Sequence, residues 1–272
     1  MSDFDPGHTI GDYRILTKLG DGGYGSVYLA LDKNGKKIAL KTRDSQDNDP
    51  EEIRRFIHEC EVLSKINHPN IINCIESGFD NDVLYLALDY IDGEDLKESI
   101  NEYGPIPYKE ATFHIRLIAG AIKTLIKNDI VHRDIKAENI ILSTSGEIKL
   151  VDFGLALSPA LGIHERPDDV YGTAQYIAPE YALGGGLTDL YSGVYDIYSL
   201  GITYYCLLMA DYPFLGTTTD ILRQHIKTDP PTIPNVSDSV NMLYKWMLTK
   251  NPDNRATPEQ VISLCNSIIA GD

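Results

Sequence analysis

The spacing of apolar residues changes near residue 95, and this change constrains the fold more than any other feature of the sequence. Upstream, short runs typical of β-strands surround a single helical pattern that begins at Pro50. The predicted strands lie at 13–19, 26–32, 36–42, 71–77 and 83–90, and the predicted helix at 50–65. Downstream, the patterns are those of amphipathic or buried helices at 108–128, 196–209, 219–227, 238–248 and 258–270. The sequence therefore predicts an α+β chain with a small β-rich N-terminal lobe at 1–90, a polar, Gly-containing hinge at 91–95 and a larger, mostly α-helical lobe at 96–272.

Composition and charge exclude several classes of protein. The 272 residues are 43% hydrophobic, which excludes a fibrous or disordered chain. A net charge of −16 without a basic cluster argues against nucleic acids and anionic membranes as partners. No apolar run approaches the roughly 20 residues that cross a bilayer, residues 1–10 lack signal-peptide features, and the four scattered cysteines form no CxxC pair. We therefore expect a cytoplasmic protein with free thiols.

The most informative chemical motif is VHRDIKAEN at 131–139, followed by Asp152-Phe153-Gly154. With the composition of this chain, HRDxxxxN is expected by chance in roughly one shuffled sequence in a thousand, so coincidence is a poor explanation. Asp134 supplies a carboxylate that can orient a hydroxyl and receive its proton, and Lys136 can neutralise phosphate charge. Asn139 and Asp152 are oxygen ligands suited to Mg²⁺, with Mn²⁺ as a possible substitute. The motif predicts a phosphoryl-transfer enzyme.

A glycine-rich segment at 20–25, GDGGYG, is much less specific, because chance produces this spacing in roughly one chain in seven. It is followed by strand-like SVYL, whereas a dinucleotide-binding fingerprint opens a helix. Gly20, Gly22 and Gly25 would let backbone amides approach triphosphate oxygens without an intervening side chain. A structural hairpin turn is the alternative interpretation.

Together these motifs make the chain resemble the catalytic domain of eukaryotic-type (Hanks-type) serine/threonine protein kinases from about residue 13 to residue 269, with bacterial members the most similar. The resemblance includes the strand IALK at 38–41, APE at 178–180, DIYSLG at 196–201 and NPDNR at 251–255. It implies the bilobal protein-kinase fold, a single kinase domain over residues 1–272, ATP and magnesium as cofactors, and serine or threonine hydroxyls of proteins as substrates. A lysine at 136, in place of the tyrosine-kinase pattern, favours that substrate class.

The resemblance also assigns roles to residues outside the catalytic motif. Lys41 would bind the α- and β-phosphates and pair with Glu59; Glu61 is the alternative partner, but it lies about 200° around the helix from Glu59. The residues assigned to the nucleotide are Leu19, Gly20, Gly22, Gly25, Val27, Ala39, Lys41, Leu88 as gatekeeper, Asp89 and Ile91 through their backbones at the hinge, Asp95 toward the ribose, and Ile141. His132 and Phe153 would pack with Leu63 and Cys74 in a spine anchored by Asp196. For the apolar positions, a plain core role fits the sequence equally well.

Three residues are predicted to regulate activity. An arginine directly before the catalytic aspartate, here Arg133, usually marks in this family an activation loop ordered by phosphate. Counting back from Thr173, the usual phosphorylated position is occupied by Asp169. We expect Asp169 to act as a permanent negative charge for Arg133, although it could equally be only solvated. Thr173 is predicted to hydrogen-bond near Asp134 and Lys136.

Two other functions are compatible with the pattern. The first is a pseudokinase scaffold, which the presence of all six polar residues required for transfer disfavours. The second is a small-molecule kinase, against which the APE segment and Arg255, expected to pair with Glu180, both argue. The sequence predicts neither the physiological substrate nor the oligomeric state.

Overall fold

The computed structural model describes residues 4–22, 25–45, 50–158, 173–183 and 193–271, and the structural statements below concern these residues. Contacts divide the chain into two compact units, Met1–Asp92 and Gly93–Asp272. The boundary falls within the segment 91–95, while the assignment of the chain to one domain stays a prediction.

The first unit is built on a six-stranded antiparallel sheet with strand order β1-β2-β3-β4-β6-β5. Its strands are β1 Thr9–Ile10, β2 Tyr13–Gly22, β3 Gly25–Leu31, β4 Lys37–Asp44, β5 Cys74–Asp80 and β6 Val83–Asp89. The turn between β3 and β4 is closed by Asp32, whose Oδ1 accepts the backbone N–H groups of Asn34 and Lys36, both at 2.8 Å. The helix α1, Pro50–Ser64, follows β4 and buries one side.

The two faces of this sheet differ in composition because successive side chains of a strand point in opposite directions. One face forms a hydrophobic core, made by Ile10, Tyr13, Ile15, Tyr28, Ala30, Ile38, Leu40, Val83, Tyr85 and Ala87. The strand register places the neighbouring positions on the opposite face: Val27 pairs with Lys41, and Ala39 with Leu88. Four residues assigned to the nucleotide therefore share one face of the sheet.

The second unit is mostly helical. It contains one three-stranded antiparallel sheet, with β7 Gly93–Asp95, β8 Ile140–Ser143 and β9 Ile148–Leu150. Its helices are α2 Leu96–Tyr103, α3 Tyr108–Lys127, α4 Pro179–Ala182, α5 Val194–Met209, α6 Thr218–Lys227, α7 Asp238–Met247 and α8 Pro258–Ala270. This distribution of strands and helices confirms the predicted α+β class, with a β-rich first part and a mainly α-helical second part.

Local sequence signals explain where the helices of the second unit begin. Asp95, Thr217 and Thr257 cap α2, α6 and α8 by accepting backbone N–H groups of the first turn. Helix α5 begins after Gly193, which has φ 72°, and a Cβ there would lie 2.1 Å from Ile126. Nearly every residue of α5 is buried, so this helix forms the centre of the unit.

The strands and helices predicted from the sequence are confirmed within a few residues. The short elements β1, β7, β8, β9, α2 and α4 were not predicted. The strand predicted at 71–77 begins only at Cys74, because the N–H of Ile71 donates to the carbonyl of His68 in a turn. Part of the predicted hinge is a strand, β7, paired with β8. Strands this short carry too few residues for a periodic signal. Most of the loop predicted at 182–192 lies outside the described residues.

Across the described part of the chain, no helix combines the length and apolar character needed to span a membrane.

Candidate active site

In the first unit, Lys41 and Glu59 form a buried ion pair. Lys41 Nζ lies 2.6 Å from Glu59 Oε2, and the two residues are 5% and 1% exposed. Lys41 leaves β4 on the face opposite the hydrophobic core, and Glu59 comes from α1. Glu61 is exposed, so the geometry selects Glu59 over the alternative partner. The pair holds a cationic group fixed on that face of the sheet.

The glycine-rich segment forms the end of β2 and the start of β3. Gly20 pairs with Val27, and Gly22 with Gly25, while residues 23 and 24 lie outside the described part. Gly25 has φ 149°, and a Cβ there would lie 2.3 Å from the carbonyl oxygen of Thr42. Close packing of β3 on β4 thus requires glycine at this position, whereas a Cβ on Gly20 would meet no atom within 4 Å. Leu19, at the same end of β2, is 47% exposed.

The two positions assigned to backbone contacts with the nucleotide lie at the end of β6 and just after it. The N–H of Asp89 already donates to the carbonyl of Asn73 at 3.1 Å, so this N–H is not available to a ligand. Its side chain pairs with Lys36, with Nζ 2.7 Å from Oδ1. Ile91 follows β6 and is half-buried.

In the second unit, Asp134, Lys136 and Asn139 meet around one carboxylate oxygen. Lys136 Nζ lies 2.7 Å from Asp134 Oδ2. Asn139 Nδ2 donates to the same Oδ2 and to the main-chain carbonyl of Asp134, both at 2.8 Å. Asp134 and Asn139 are buried, at 7% and 6% exposed. Among the described residues, these side chains bond to Oδ2 of Asp134, and its second carboxylate oxygen, Oδ1, can accept a hydrogen bond from a hydroxyl group.

This arrangement rests on Asp196 at the start of α5. Asp196 is fully buried and accepts the backbone N–H groups of His132 and Arg133 at 2.8 and 2.9 Å. Burial raises the pKa of Asp196 to about 6, while these two hydrogen bonds lower it. Arg133 has φ 66°, an uncommon value for a residue with a side chain, which the two bonds help to hold. Asp196 thus fixes the backbone directly before Asp134.

His132 packs and does not take part in proton transfer. Its ring lies 4.5 Å from that of Phe153, edge to face, and both side chains are fully buried. Burial lowers the pKa of His132 to about 4, although Asp134 and Asp152 raise it, so the ring is neutral near pH 7. The backbone N–H of Asp134 donates to His132 Nδ1 at 3.3 Å. The predicted packing of His132 with Phe153 is confirmed.

The strand pairing in the second unit brings the two predicted metal ligands together. Ile140 pairs with Leu150, and the N–H of Val151 donates to the carbonyl of Asn139 at 2.9 Å, so Asp152 follows directly beside Asn139. Because the amide nitrogen of Asn139 is bound to Asp134, its oxygen Oδ1 is oriented away and offers a hard ligand. No cluster of three or more His, Cys, Asp or Glu side chains suited to a metal occurs in the described ranges. An amide and one carboxylate fit Mg²⁺, which takes its other ligands from phosphates and water.

Three other predicted residues have defined contacts in this unit. Lys136 Nζ donates to Thr173 Oγ1 at 3.4 Å, which links the catalytic motif to the residue that begins the segment 173–183. Asp95 Oδ1 accepts the backbone N–H groups of Lys97 and Glu98, both at 2.8 Å, so this carboxylate caps α2. That structural role was not predicted, and it leaves Oδ2 for a ligand. Ile141 is half-buried and pairs with Asp95 across β8 and β7.

Of the two charged residues in the regulatory hypothesis, Arg133 lies among the described residues. Arg133 is 7% exposed, and its Nε donates to the carbonyl of Leu155 at 2.8 Å. Asp169 lies outside the described residues, so its predicted approach to Arg133 stays a prediction.

The predicted pairing of Arg255 with Glu180 is confirmed. Arg255 Nη1 and Nη2 lie 2.7 Å from Glu180 Oε1 and Oε2, in a buried two-pronged ion pair. The same guanidinium donates to the carbonyls of Val194 and Thr249. Arg255 thereby ties α4 to the start of α5 and to the segment after α7.

The sequence comparisons agree with this geometry. The family model described as the protein kinase domain matches residues 13–264. The chain is similar to the serine/threonine-protein kinase PrkC of Bacillus subtilis, at 36% identity over 90% of this chain and 38% of that protein. It is also similar to the probable serine/threonine-protein kinase CPE1738 of Clostridium perfringens, at 33% identity over 92% of this chain and 37% of that protein. For the serine/threonine-protein kinase PknA of Mycobacterium tuberculosis, the identity is 32% over 90% of this chain and 58% of that protein. The chain thus spans between 37% and 58% of the length of these relatives.

Proposed function

This chain belongs to the protein kinase domain family, and from that premise we propose that it is an ATP- and Mg²⁺-dependent protein kinase acting on serine and threonine hydroxyls. The observation that carries the proposal is the group around Asp134. A carboxylate with one oxygen held by Lys136 and Asn139 has its other oxygen available to a hydroxyl donor.

The residues of the first unit would bind the nucleotide. The ammonium of Lys41, held by Glu59, is placed to bind phosphate oxygens, because an ammonium carries three hydrogens and can bond to more than one anion. Val27, Ala39 and Leu88 offer an apolar surface on the same face of the sheet, suited to a purine ring. The backbones around Gly20 and Gly22 would cover the phosphates.

The residues of the second unit would bind the metal and orient the acceptor. Asn139 Oδ1 and the carboxylate of Asp152 would hold Mg²⁺, which when bound neutralises phosphate charge. Asp134 would accept the hydrogen bond of the substrate hydroxyl and take its proton late, since an aspartate is a weak base and contributes mainly orientation. Lys136 would stabilise negative charge on the transferred group.

A protein substrate is favoured over a metabolite by the segment that follows Thr173. Thr173 contacts Lys136, and the segment ends in α4, which Arg255 fixes through Glu180. A backbone held at both ends beside the catalytic aspartate is a platform suited to an extended peptide. The names of the relatives, all serine/threonine-protein kinases, support the same substrate class. The pseudokinase alternative has no support in this geometry.

We further propose that Asp169 serves Arg133 as a permanent negative charge, so that the enzyme needs no phosphate on its activation segment. One carboxylate carries about one charge against 1.5 to 2 for a phosphate, so the ordering would be weaker. Activity of protein shown by mass spectrometry to be unphosphorylated, and its loss in Asp169→Asn, would support this. A requirement for phosphate on Tyr171 or Thr173 would refute it; Ser158 is 1% exposed and a poor acceptor.

A cytoplasmic location is part of the same proposal. Cys60, Cys74, Cys206 and Cys265 are free thiols, as is usual in a reducing compartment where ATP and Mg²⁺ are abundant.

The function is tested by incubating the protein with labelled ATP, Mg²⁺ and a basic test protein. We expect label on serine and threonine, its loss in Asp134→Asn and Asp152→Ala, and its retention in Asp129→Asn, which changes an exposed aspartate nearby. Label on tyrosine would refute the substrate class, and label only on metabolites would favour a small-molecule kinase. Absence of transfer would favour a scaffold.

A further inference from the structure

A group of polar side chains beneath the segment 173–176 has no role in the catalysis described above. Tyr198 on α5 and His225 on α6 are both fully buried, and Lys250 follows α7. Phe214 packs against this group, with its ring 4.9 Å from that of His225 and 4.7 Å from Lys250 Nζ. Two helices and the segment after α7 therefore converge on a few polar atoms in a mostly apolar setting, where each hydrogen bond is costly to lose.

The chemistry of Lys250 favours one direction for the hydrogen bonds in this group. Lys250 Nζ lies 3.3 Å from Tyr198 Oη, and Tyr198 Oη lies 2.8 Å from His225 Nδ1. An ammonium group only donates, so the oxygen of Tyr198 accepts from Lys250. The single phenolic hydrogen can then be donated to His225 Nδ1, 2.8 Å away. If Nδ1 accepts, the proton of a neutral imidazole lies on the other nitrogen, Nε2.

His225 is neutral near pH 7, so this choice of tautomer applies. Burial is the main cause that lowers the pKa of His225 to about 4, and the charge of Lys250 lowers it further. The carbonyl groups of Gln175 and Ala174 have the opposite effect and raise this pKa. Helix α6, which carries His225, packs against the turn at 174–176, and Nδ1 lies within hydrogen-bond distance of Tyr198 Oη. Nε2 has no hydrogen bond of standard geometry among the described residues. Nε2 is therefore the ring nitrogen that could donate to the carbonyls of Ala174 and Gln175.

We propose that Lys250, Tyr198 and His225 form a directed hydrogen-bond chain that positions the segment 173–176 by presenting the Nε2–H of His225 to the carbonyls of Ala174 and Gln175. The segment begins at Thr173, which contacts Lys136. Tyr176 closes its turn by donating its N–H to the carbonyl of Thr173, and Ser199 binds the carbonyl of Tyr176. His225 thus supports the part of the turn that the other contacts leave free. The functional consequence rests on the proposed kinase activity, because this segment would carry the substrate peptide.

The direction of the chain is tested by NMR on the protein labelled with ¹⁵N-histidine, without substrate, near pH 7. We expect His225 to show a protonated Nε2 and an unprotonated Nδ1. In Lys250→Met and Tyr198→Phe, the Nδ1–H tautomer should become populated, and Lys250→Arg should restore the original pattern. A protonated Nδ1 in the unchanged protein would overturn the proposal.

The positioning role is tested by hydrogen exchange of peptides covering 173–178, which needs no activity. Exchange should be faster in Lys250→Met and Tyr198→Phe, and normal in Lys250→Arg and in Lys245→Met, which removes an exposed lysine on α7. The KM for a peptide substrate should rise about three- to tenfold in the first two variants, with the KM for ATP unchanged. Equal changes in both KM values, or unchanged exchange, would overturn the proposal. If the unchanged protein transfers no phosphate, the proposed function fails, while the NMR and exchange results still decide whether the chain exists.

Discussion

Lys41 and Glu59 form an ion pair that is almost completely removed from solvent, with Nζ 2.6 Å from Oε2 and exposures of 5% and 1%. Removing the carboxylate from a buried ion pair is strongly destabilising, so loss of Glu59 removes the group that fixes Lys41 in place. We predict that Glu59→Gln lowers kcat/KM for ATP by at least about tenfold.

The matched control for this prediction is Glu61→Gln, since Glu61 lies on the same helix but is exposed. This variant should retain activity within about a factor of two, as expected for a surface substitution. Steady-state kinetics with varied ATP measure both effects. Equal losses in the two variants would mean that helix α1, and not the ion pair, is the sensitive element.

A second prediction concerns Asp95. Two different substitutions can separate its role as the cap of α2 from its proposed contact with the nucleotide. Serine caps helices nearly as well as aspartate, whereas alanine does not. Asp95→Ala should lower the free energy of unfolding by about 1 kcal/mol, and Asp95→Ser should leave it almost unchanged.

If Oδ2 contacts the ribose, both Asp95 variants should raise the KM for ATP. The unchanged protein should then have a lower KM for ATP than for 2′-deoxy-ATP, whereas in both variants the two KM values should be similar. Urea denaturation and kinetics with the two nucleotides give the two measurements. An unchanged KM for ATP in Asp95→Ser would show that the residue serves α2 only.

Much of this fold could be predicted because its long elements carry periodic patterns and its site carries a motif. The pairing of Lys41 with Glu59 instead of Glu61 followed from family register together with the geometry of a helix. Asn139 and Asp152 were predicted to be metal ligands from their residue types, and the pairing of β8 with β9 supplies the reason that they lie together.

Other features depend on contacts between distant parts of the chain and have no local signal. The hydrogen bonds from His132 and Arg133 to Asp196 span more than 60 positions, at sequence separations of 64 and 63. The requirement for glycine at position 25 arises from the carbonyl of Thr42 on the next strand. The cap made by Asp95 could have been found, because an aspartate before an amphipathic run is a known helix start.

The buried pair of Arg255 and Glu180 gives a third prediction. Removing one partner leaves an unpaired charge in the interior, which costs about 3–5 kcal/mol, whereas replacing both by neutral groups costs less. Arg255→Met and Glu180→Gln should each destabilise the protein strongly. Arg255→Met should be the worse of the two, because Arg255 also donates to the carbonyls of Val194 and Thr249.

The double variant of Arg255 and Glu180 should be more stable than the sum of the single effects predicts, which a double-mutant cycle in urea measures. Arg255→Lys keeps the charge but loses the two-pronged geometry, so it should fall between Arg255→Met and the unchanged protein. Additive single effects would show that the two side chains contribute independently.

The buried ring of His132 makes stability depend on pH. Burial lowers its pKa from an ordinary value near 6.5 to about 4, against the influence of Asp134 and Asp152. Between these values the unfolded chain binds a proton that the folded chain does not. The stability contributed by the neutral ring is therefore fully present above pH 6.5 and is lost as the pH falls toward 4. Asp196, with a pKa raised to about 6, acts in the opposite direction, so a variant is needed to isolate the effect of His132.

We predict that, between pH 7.5 and pH 5.5, the unchanged protein loses about 1.4 kcal/mol more unfolding free energy than His132→Phe does, since the phenylalanine ring cannot titrate. Urea denaturation at the two pH values measures this difference. His8→Asn is the control, because His8 is exposed, and it should keep the pH dependence of the unchanged protein. If His132→Phe keeps that dependence as well, the ring of His132 is accessible to protons in the folded state and its neutral, packed role is wrong.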